Sequence, residues 1–141
     1  SLGYVSIQEE MGILQAQEEK HPLERVKPVA TLEEILKVRS AVREVGVTEQ
    51  LQEYIVRLVA ATRNRQGVKL AASPRASLNL LRVAQAMTLF EGREFLVPAT
   101  IQDLAPDVIG HRLVMESDAV HSGRSGESVV HEIIEETAVP V

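Results

Sequence analysis

The chain has 141 residues, the size of one ordinary domain, with 15 basic and 20 acidic side chains and a net charge of −5. It contains no Cys, which excludes disulfides, thiolate metal sites and thiol catalysis, and its acidic balance with few aromatic residues argues against a nucleic-acid binder. No segment approaches the roughly 18 apolar residues of a membrane span and no signal-peptide pattern begins the sequence, so we expect a soluble, cytoplasmic protein.

The first two helices are predicted from their start signals. Ser6–Glu9 and Thr31–Glu34 both match the capping box, in which a hydroxyl and a carboxylate three residues later satisfy free N–H groups at a helix start. The first helix should place its apolar residues on one face and end before His21 and Pro22. The second should run from about residue 32 to residue 42.

Two longer helices follow. Thr48 is the predicted N-cap of a third helix, whose broad apolar stripe continues to Thr62. Ser73 and Pro74 begin a fourth helix that ends before Gly92, and its nearly apolar composition predicts the central helix of a bundle. The apolar residues along this fourth helix include Leu78, Leu81, Ala84, Ala86, Met87 and Phe90.

Two short segments, 45–47 and 94–97, have strand-like composition and predict a two-stranded ribbon that packs on the helices. Pro98 begins the next helix. Pro106 is expected to break it and to start another, because an interior proline loses one hydrogen bond and clashes with the preceding turn.

The end of the chain predicts a polar loop over residues 117–127 and a last amphipathic helix over Ser128–Glu136. No internal repeat is present. The expected fold is therefore all-α, a single domain over residues 1–141 with five to seven short helices and a minor two-stranded β ribbon.

The start of the fourth helix carries an unusual charge. Ser73 as N-cap and Pro74 at the first helical position are favoured, but Arg75 places a cation at the positive end of the helix dipole. This costs about 0.3 to 1 kcal/mol at an exposed site unless an anion compensates it. Free N–H groups and a guanidinium suit phosphate oxygens, so these three residues are the predicted anion-binding site. The alternative is a solvated arginine, or one paired with a nearby Glu.

The other candidate sites are weaker. His111 lies one helical turn from Asp107, but no third ligand has a recognisable spacing, so no metal site is predicted. The chain lacks the phosphate-loop, nucleophile-elbow and HExxH motifs, so we predict that it catalyses no reaction by itself. One alternative function is a free-standing interaction module with no nucleotide role that uses an acidic face, or the last helix Ser128–Glu136, as a partner groove. Another is a small DNA binder with a basic patch formed by Arg57, Arg63, Arg65 and Lys69.

Five short motifs indicate a protein family more specifically when they occur together than any one of them does alone. They are Ser1-Leu2-Gly3-Tyr4, Tyr54-Ile55-x-x-Leu58-Val59-x-x-Thr62-Arg63, Ala72-Ser73-Pro74-Arg75-Ala76-Ser77-Leu78, Gly92-Arg93-Glu94-Phe95-Leu96-Val97-Pro98 and Leu104-Ala105-Pro106-x-Val108-x-x-His111-Arg112-Leu113. In this order they resemble the C-terminal lid subdomain of MoxR-type AAA+ ATPases over nearly the whole chain. The sequence departs from the family pattern at Ala71, where Gly is usual, and at Val5, where Pro is usual.

The resemblance implies a helical lid that packs over a nucleotide held by a separate α/β core of the same polypeptide. Arg75 is similar to the sensor-2 arginine, which reaches the γ-phosphate of ATP, and Ser73 and Pro74 would fix the helix end that carries it. The residues implied to hold that end rigid are Tyr54, Ile55, Leu58, Leu78 and Leu81.

The family also implies what lies outside this chain. ATP and Mg²⁺ would be bound mostly by the core domain, and the isolated chain is expected to hold neither. The intact protein would be an ATP hydrolase that forms a hexameric ring and remodels other proteins as a chaperone does, together with von Willebrand factor A domain proteins.

Overall fold

The computed structural model describes residues 5–17 and 22–140. This part of the chain contains seven α-helices and one two-stranded ribbon, so the predicted fold class is confirmed. The helices are α1 (Ile7–Gln17), α2 (Leu32–Glu44), α3 (Glu49–Ala61), α4 (Pro74–Phe90), α5 (Pro98–Ile109), α6 (Ser117–His121) and α7 (Gly126–Glu136), and the strands are β1 (Val68–Leu70) and β2 (Val114–Met115). Short 3-10 helices lie at Pro22–Arg25, Thr62–Asn64 and Gly110–Arg112.

The chain divides into two compact units, Ser1–Ile35 and Leu36–Val141, where its length predicted one domain. The boundary falls within α2. The motif at residues 1–4 and the predicted end of the first helix at His21 lie outside the described residues.

Both predicted capping boxes are present. The Ser6 N–H donates to Glu9 Oε2 at 2.7 Å, and the Thr31 N–H donates to Glu34 Oε2 at 2.7 Å. These backbone hydrogen bonds are the main cause that lowers the pKa of both glutamates. The apolar face predicted for α1 is exposed to solvent at Ile7, Met11 and Leu14.

The core of the second unit is formed by α3, α4, α5 and α7. Its buried side chains include Tyr54, Ile55, Leu58 and Val59 from α3, Leu80 and Ala84 from α4, Ile101, Ala105 and Ile109 from α5, and Val129, Val130 and Ile133 from α7. Each large aliphatic or aromatic side chain of this kind stabilises the fold by about 1.5–3 kcal/mol when fully buried. The Tyr54 hydroxyl accepts a hydrogen bond from Gln102 Nε2 at 3.2 Å, which joins α3 to α5.

Helix α4 packs against α3 and α5, whereas α5 contacts α3, α4 and α7, so the prediction that α4 is the central helix is wrong. Its buried residues recur every four positions, at Ala76, Leu80, Ala84 and Thr88. Leu78 is 50% exposed and Phe90 is 79% exposed, so neither belongs to the core. The polar residues Arg75, Asn79 and Arg82 recur at helical spacing on the side of α4 opposite the buried residues, so their spacing, and not the apolar composition, indicates which face turns inward.

The ribbon of the structure is not the predicted one. Strands β1 and β2 pair antiparallel, with Val68 opposite Met115 and Leu70 opposite Val114. Strands of three and two residues are too short to show the alternating pattern by which a strand is recognised in a sequence.

The two segments predicted to form the ribbon meet in a single parallel bridge between Gly46 and Phe95. The Gly46 N–H donates to the Glu94 carbonyl at 2.9 Å, and the Leu96 N–H donates to the Gly46 carbonyl at 3.0 Å. A β-carbon at Gly46 would lie 2.5 Å from Cδ1 of Phe95. Glycine therefore permits this close approach.

Helix α5 continues through Pro106, so the predicted break at that residue is wrong. Proline at this position removes one hydrogen bond, the one that its own N–H would donate to the Gln102 carbonyl. The next turn still forms, because the Gly110 N–H donates to the Pro106 carbonyl. Pro106 is buried beside Ala105 and Ile109, and the packing of this face outweighs the missing bond.

The end of the chain differs from the prediction in two ways. Residues 117–127, predicted as a polar loop, include the short helix α6, and α7 begins at Gly126 instead of Ser128. The Ser128 N–H donates to Ser125 Oγ at 3.1 Å, and the Ser125 N–H donates to Ser128 Oγ at 3.0 Å. This capping box uses Ser where the usual pattern has Glu or Gln, which explains the error of two residues.

Candidate functional site

Helix α4 begins where the sequence predicts, with Ser73 as the N-cap and Pro74 in the first turn. The Ser73 hydroxyl makes no capping hydrogen bond, while the Ser73 carbonyl accepts from the Ala76 N–H at 2.8 Å. Ser73, Pro74 and Arg75 are all exposed, so the three predicted site residues lie together on the surface.

The Arg75 guanidinium has no hydrogen bond or ion pair with any residue in the described ranges 5–17 and 22–140. The first turn of α4 contains no acidic residue. The alternative of an arginine paired with a nearby Glu is therefore not observed among these residues. A cation at the positive end of α4 is open to solvent, where an anion would relieve the unfavourable interaction with the helix dipole.

Thr62 connects the end of α3 to the segment that enters α4. Its hydroxyl, which is fully buried, donates to the Val59 carbonyl at 2.7 Å and accepts from the Ala72 N–H at 3.2 Å. Ala72 and Ala76 are also buried. The backbone on both sides of Ser73, Pro74 and Arg75 is therefore fixed to the core.

The residues predicted to support this helix start are only partly the observed ones. Tyr54, Ile55 and Leu58 are buried, and Leu81 packs against the core. Leu78 is 50% exposed and does not belong to the core cluster. Thr62 is predicted only as part of the apolar stripe of α3, and a polar residue at the end of such a stripe is the signal that points to a buried hydrogen bond.

Two of the four cations in the predicted basic patch are paired with carboxylates. Arg57 Nη2 lies 2.5 Å from Glu53 Oε1, one helical turn away in α3. Arg65 makes a bidentate pair with Glu136, with Nη1–Oε1 at 3.0 Å and Nη2–Oε2 at 2.6 Å. These hydrogen bonds are the largest cause that raises the pKa of Arg65 and lowers the pKa of Glu136.

Helix α7 does not offer the partner groove of the interaction-module hypothesis. Its apolar residues Val129, Val130 and Ile133 are buried in the core. The face that would bind a partner helix is already occupied by α3 and α5, so this part of the hypothesis is wrong.

The His111 ring forms a hydrogen bond with the backbone of its own helical segment. Its Nδ1 lies 2.7 Å from the Asp107 carbonyl oxygen, one turn earlier in the chain. The described residues contain no group of three or more His, Asp or Glu side chains placed to hold a metal ion. Within the same residues, no helix has the length and apolar character needed to cross a membrane.

Comparison with known proteins defines the class of this chain. Residues 60–133, from the last turn of α3 to the middle of α7, match the family model described as the AAA lid domain. This match covers more than half of the 141 residues, and the chain belongs to the AAA lid domain family. Within it, the chain is a lid of the MoxR family of AAA+ proteins.

Two relatives and one solved structure support this assignment. The chain is 37% identical over 140 residues to the "Uncharacterized protein YeaC" of Bacillus subtilis and 30% identical over 149 residues to the "Chaperone MoxR1" of Mycobacterium tuberculosis. These matches cover 99% of this chain but 44% and 39% of the two relatives. A crystal structure from Cytophaga hutchinsonii, described as that of a "putative ATPase", matches with a TM-score of 0.82 and 25% identity, over 99% of this chain and 45% of that one. The chain therefore spans less than half the length of these proteins.

Proposed function

We propose that residues 1–141 are the lid of a MoxR-type AAA+ ATPase and that Arg75 responds to the γ-phosphate of ATP held by the core of the same polypeptide. The observation that carries this proposal is the exposed Arg75 guanidinium, which has no carboxylate partner among the described residues although it lies at the positive end of α4. Membership of the AAA lid family gives the reason to expect a nucleotide in front of it.

The residues present suit a phosphate group. Arg75 offers charge-assisted hydrogen bonds, the Ser73 hydroxyl is not used as a helix cap, and both side chains are exposed. The nucleotide, when bound, supplies the phosphoanhydride bond that is hydrolysed, and the residues that grip Mg²⁺ would belong to the core domain. Arg75 would therefore add positive charge at the end of a site that is built mainly elsewhere.

The anchored start of α4 supports a mechanical role. Thr62 holds the entry to α4 against α3, and Ala76 is fully buried in the shared core. A contact made or lost at Arg75 would therefore act on this whole helical unit and not on a loose side chain. This arrangement fits a lid that moves as a rigid body when the charge on the nucleotide changes.

The intact protein, on this proposal, is an ATP hydrolase that works as a hexamer in the cytoplasm. The relative named Chaperone MoxR1 supports a role in remodelling other proteins. Von Willebrand factor A domain proteins are the proposed partners, by resemblance to the family.

The test is Arg75→Ala in the full-length protein. We expect steady-state ATP turnover to fall by about 10- to 100-fold, since a hydrogen bond to a charged group contributes about 1.5–3 kcal/mol. The free energy of unfolding should change by less than about 0.5 kcal/mol, because the side chain is exposed and makes no hydrogen bond or ion pair with the described residues.

Arg57→Ala is the matched control, because it removes the same charge from an exposed site whose partner is Glu53. Its turnover should stay close to that of the unmodified protein. Unchanged turnover in Arg75→Ala, with a normal control, would end the proposed sensing role.

A further inference from the structure

Positive charge is concentrated in one part of this acidic chain. Residues 54–90 contain no Asp or Glu at all, although the whole chain carries 20 of them. The same segment holds six basic residues: Arg57, Arg63, Arg65, Lys69, Arg75 and Arg82. Arg57 and Arg65 pair with glutamates from outside the segment, whereas the other four are exposed and have no carboxylate partner among the described residues.

Arg63 lies at the same end of the α3–α4 pair as Arg75. It follows Thr62 directly, in the 3-10 helix after α3, and the Thr62 hydroxyl bonds the Ala72 N–H just before α4 begins. That buried hydrogen bond fixes the backbone that carries one arginine to the backbone that leads into the other. Arg82 lies seven residues further along α4, about 10 Å from Arg75 along the helix axis.

We propose that Arg63 is a second phosphate-binding residue of the lid and acts on the same nucleotide polyphosphate as Arg75. This inference rests on the proposed function. The backbone of Arg63 and the positive end of α4, which carries Arg75, lie at one end of the α3–α4 pair, and neither arginine has a carboxylate partner among the described residues. A single carboxylate would leave part of this charge unbalanced, whereas a nucleoside triphosphate carries several negative charges and can accept hydrogen bonds from more than one arginine.

The experiment measures equilibrium binding of ATP to the full-length protein, by displacement of a fluorescent nucleotide at several salt concentrations. Arg63→Ala should weaken ATP binding about tenfold, the effect of one lost charge-assisted hydrogen bond. The dependence of the affinity on salt should become shallower, because one fewer cation faces the polyphosphate. Arg63→Lys, which keeps the charge, should recover part of the loss.

Arg82→Ala is the matched control, since Arg82 is also exposed and unpaired in the described structure and comes from the same acid-free segment. It should bind ATP as the unmodified protein does. An equal loss in Arg82→Ala and Arg63→Ala would show a general charge effect and would overturn the assignment of Arg63. Arg63→Gln, checked by urea unfolding, distinguishes a loss of binding from a loss of folding.

Arg75→Ala, measured in parallel, separates this inference from the proposed function. If Arg75→Ala weakens ATP binding and Arg63→Ala does not, Arg63 has no such role and the proposed function stands. If neither variant changes binding or turnover, both proposals are wrong. If only Arg63→Ala weakens binding, the shared site is overturned, and the turnover of Arg75→Ala decides whether its sensing role stands.

Discussion

A single buried hydroxyl holds the segment that carries the candidate site. Thr62→Val keeps the shape of the side chain but leaves the Ala72 N–H without its acceptor inside the core. We expect the chain to lose about 1–3 kcal/mol of stability, the cost of a buried donor that has no partner. Urea unfolding followed by circular dichroism measures this loss.

Thr88→Val is the control for this prediction. Thr88 is equally buried, but its hydroxyl only donates to the Ala84 carbonyl of its own helix. The substitution leaves no N–H group unpaired, so the loss of stability should be smaller than for Thr62→Val. Equal losses would show that the hydrogen bond from the Ala72 N–H to the Thr62 hydroxyl adds no stability beyond that of a bond within one helix.

The position of Arg75 in the first turn of α4 is predictable from the sequence, whereas the hydrogen-bond partner of Thr62 is not, and the difference is one of distance along the chain. The unfavourable position of Arg75 depends only on Ser73 and Pro74 beside it, so local rules reveal it. The role of Thr62 depends on Ala72, ten residues away, and on the turn that brings them together. Such contacts follow from tertiary structure and not from a local pattern.

At the scale of elements, the start of α7 packs tightly against the backbone after α5. A β-carbon at Gly126 would lie 2.3 Å from the Gly110 carbonyl oxygen, closer than any real contact. Gly126→Ala must therefore push α7 away from its neighbour, and we expect it to cost about 1–3 kcal/mol. A lower midpoint of thermal unfolding is the measurement.

Gly12→Ala is the opposite case. Gly12 lies inside α1, where an added β-carbon would meet nothing within 4 Å, and alanine is the better helix former by about 1 kcal/mol. This variant should not lower the unfolding midpoint. A similar decrease in both variants would mean that the loss at Gly126 does not come from the contact with Gly110.

Helix existence was predictable for most of the chain because capping residues and apolar spacing act locally. The start of α4 at Ser73 and the start of α3 at Thr48 were predicted to the residue. The continuation of α5 through Pro106 was not, because burial of that face decides it. The β1–β2 pairing was missed for a related reason. These two short strands come from distant parts of the chain, and only their hydrogen bonds to each other make them strands.

On the scale of the whole molecule, two features stand out: a shared apolar core and unpaired positive charge on the surface. An apolar core joins α3, α4, α5 and α7 into one compact unit, while the acid-free segment 54–90 leaves positive charge on its surface. Among the described residues, the exposed side chains that this segment offers to an anion are the unpaired Arg63, Lys69, Arg75 and Arg82. Such a unit suits a component that adds a few contacts to a site formed by a larger protein, in agreement with a chain that spans less than half of its relatives.

We therefore expect very weak binding of ATP to the isolated 141-residue chain. One charge-assisted contact is worth about 1.5–3 kcal/mol, which by itself corresponds to a dissociation constant of several millimolar or more. A second contact from Arg63 would be offset by the entropy lost on association. Isothermal titration calorimetry should therefore give a dissociation constant above about 1 mM, with Arg75→Ala as the comparison. Binding in the micromolar range, abolished in that variant, would mean that the chain holds a nucleotide without a core domain, and the lid mechanism would have to be replaced.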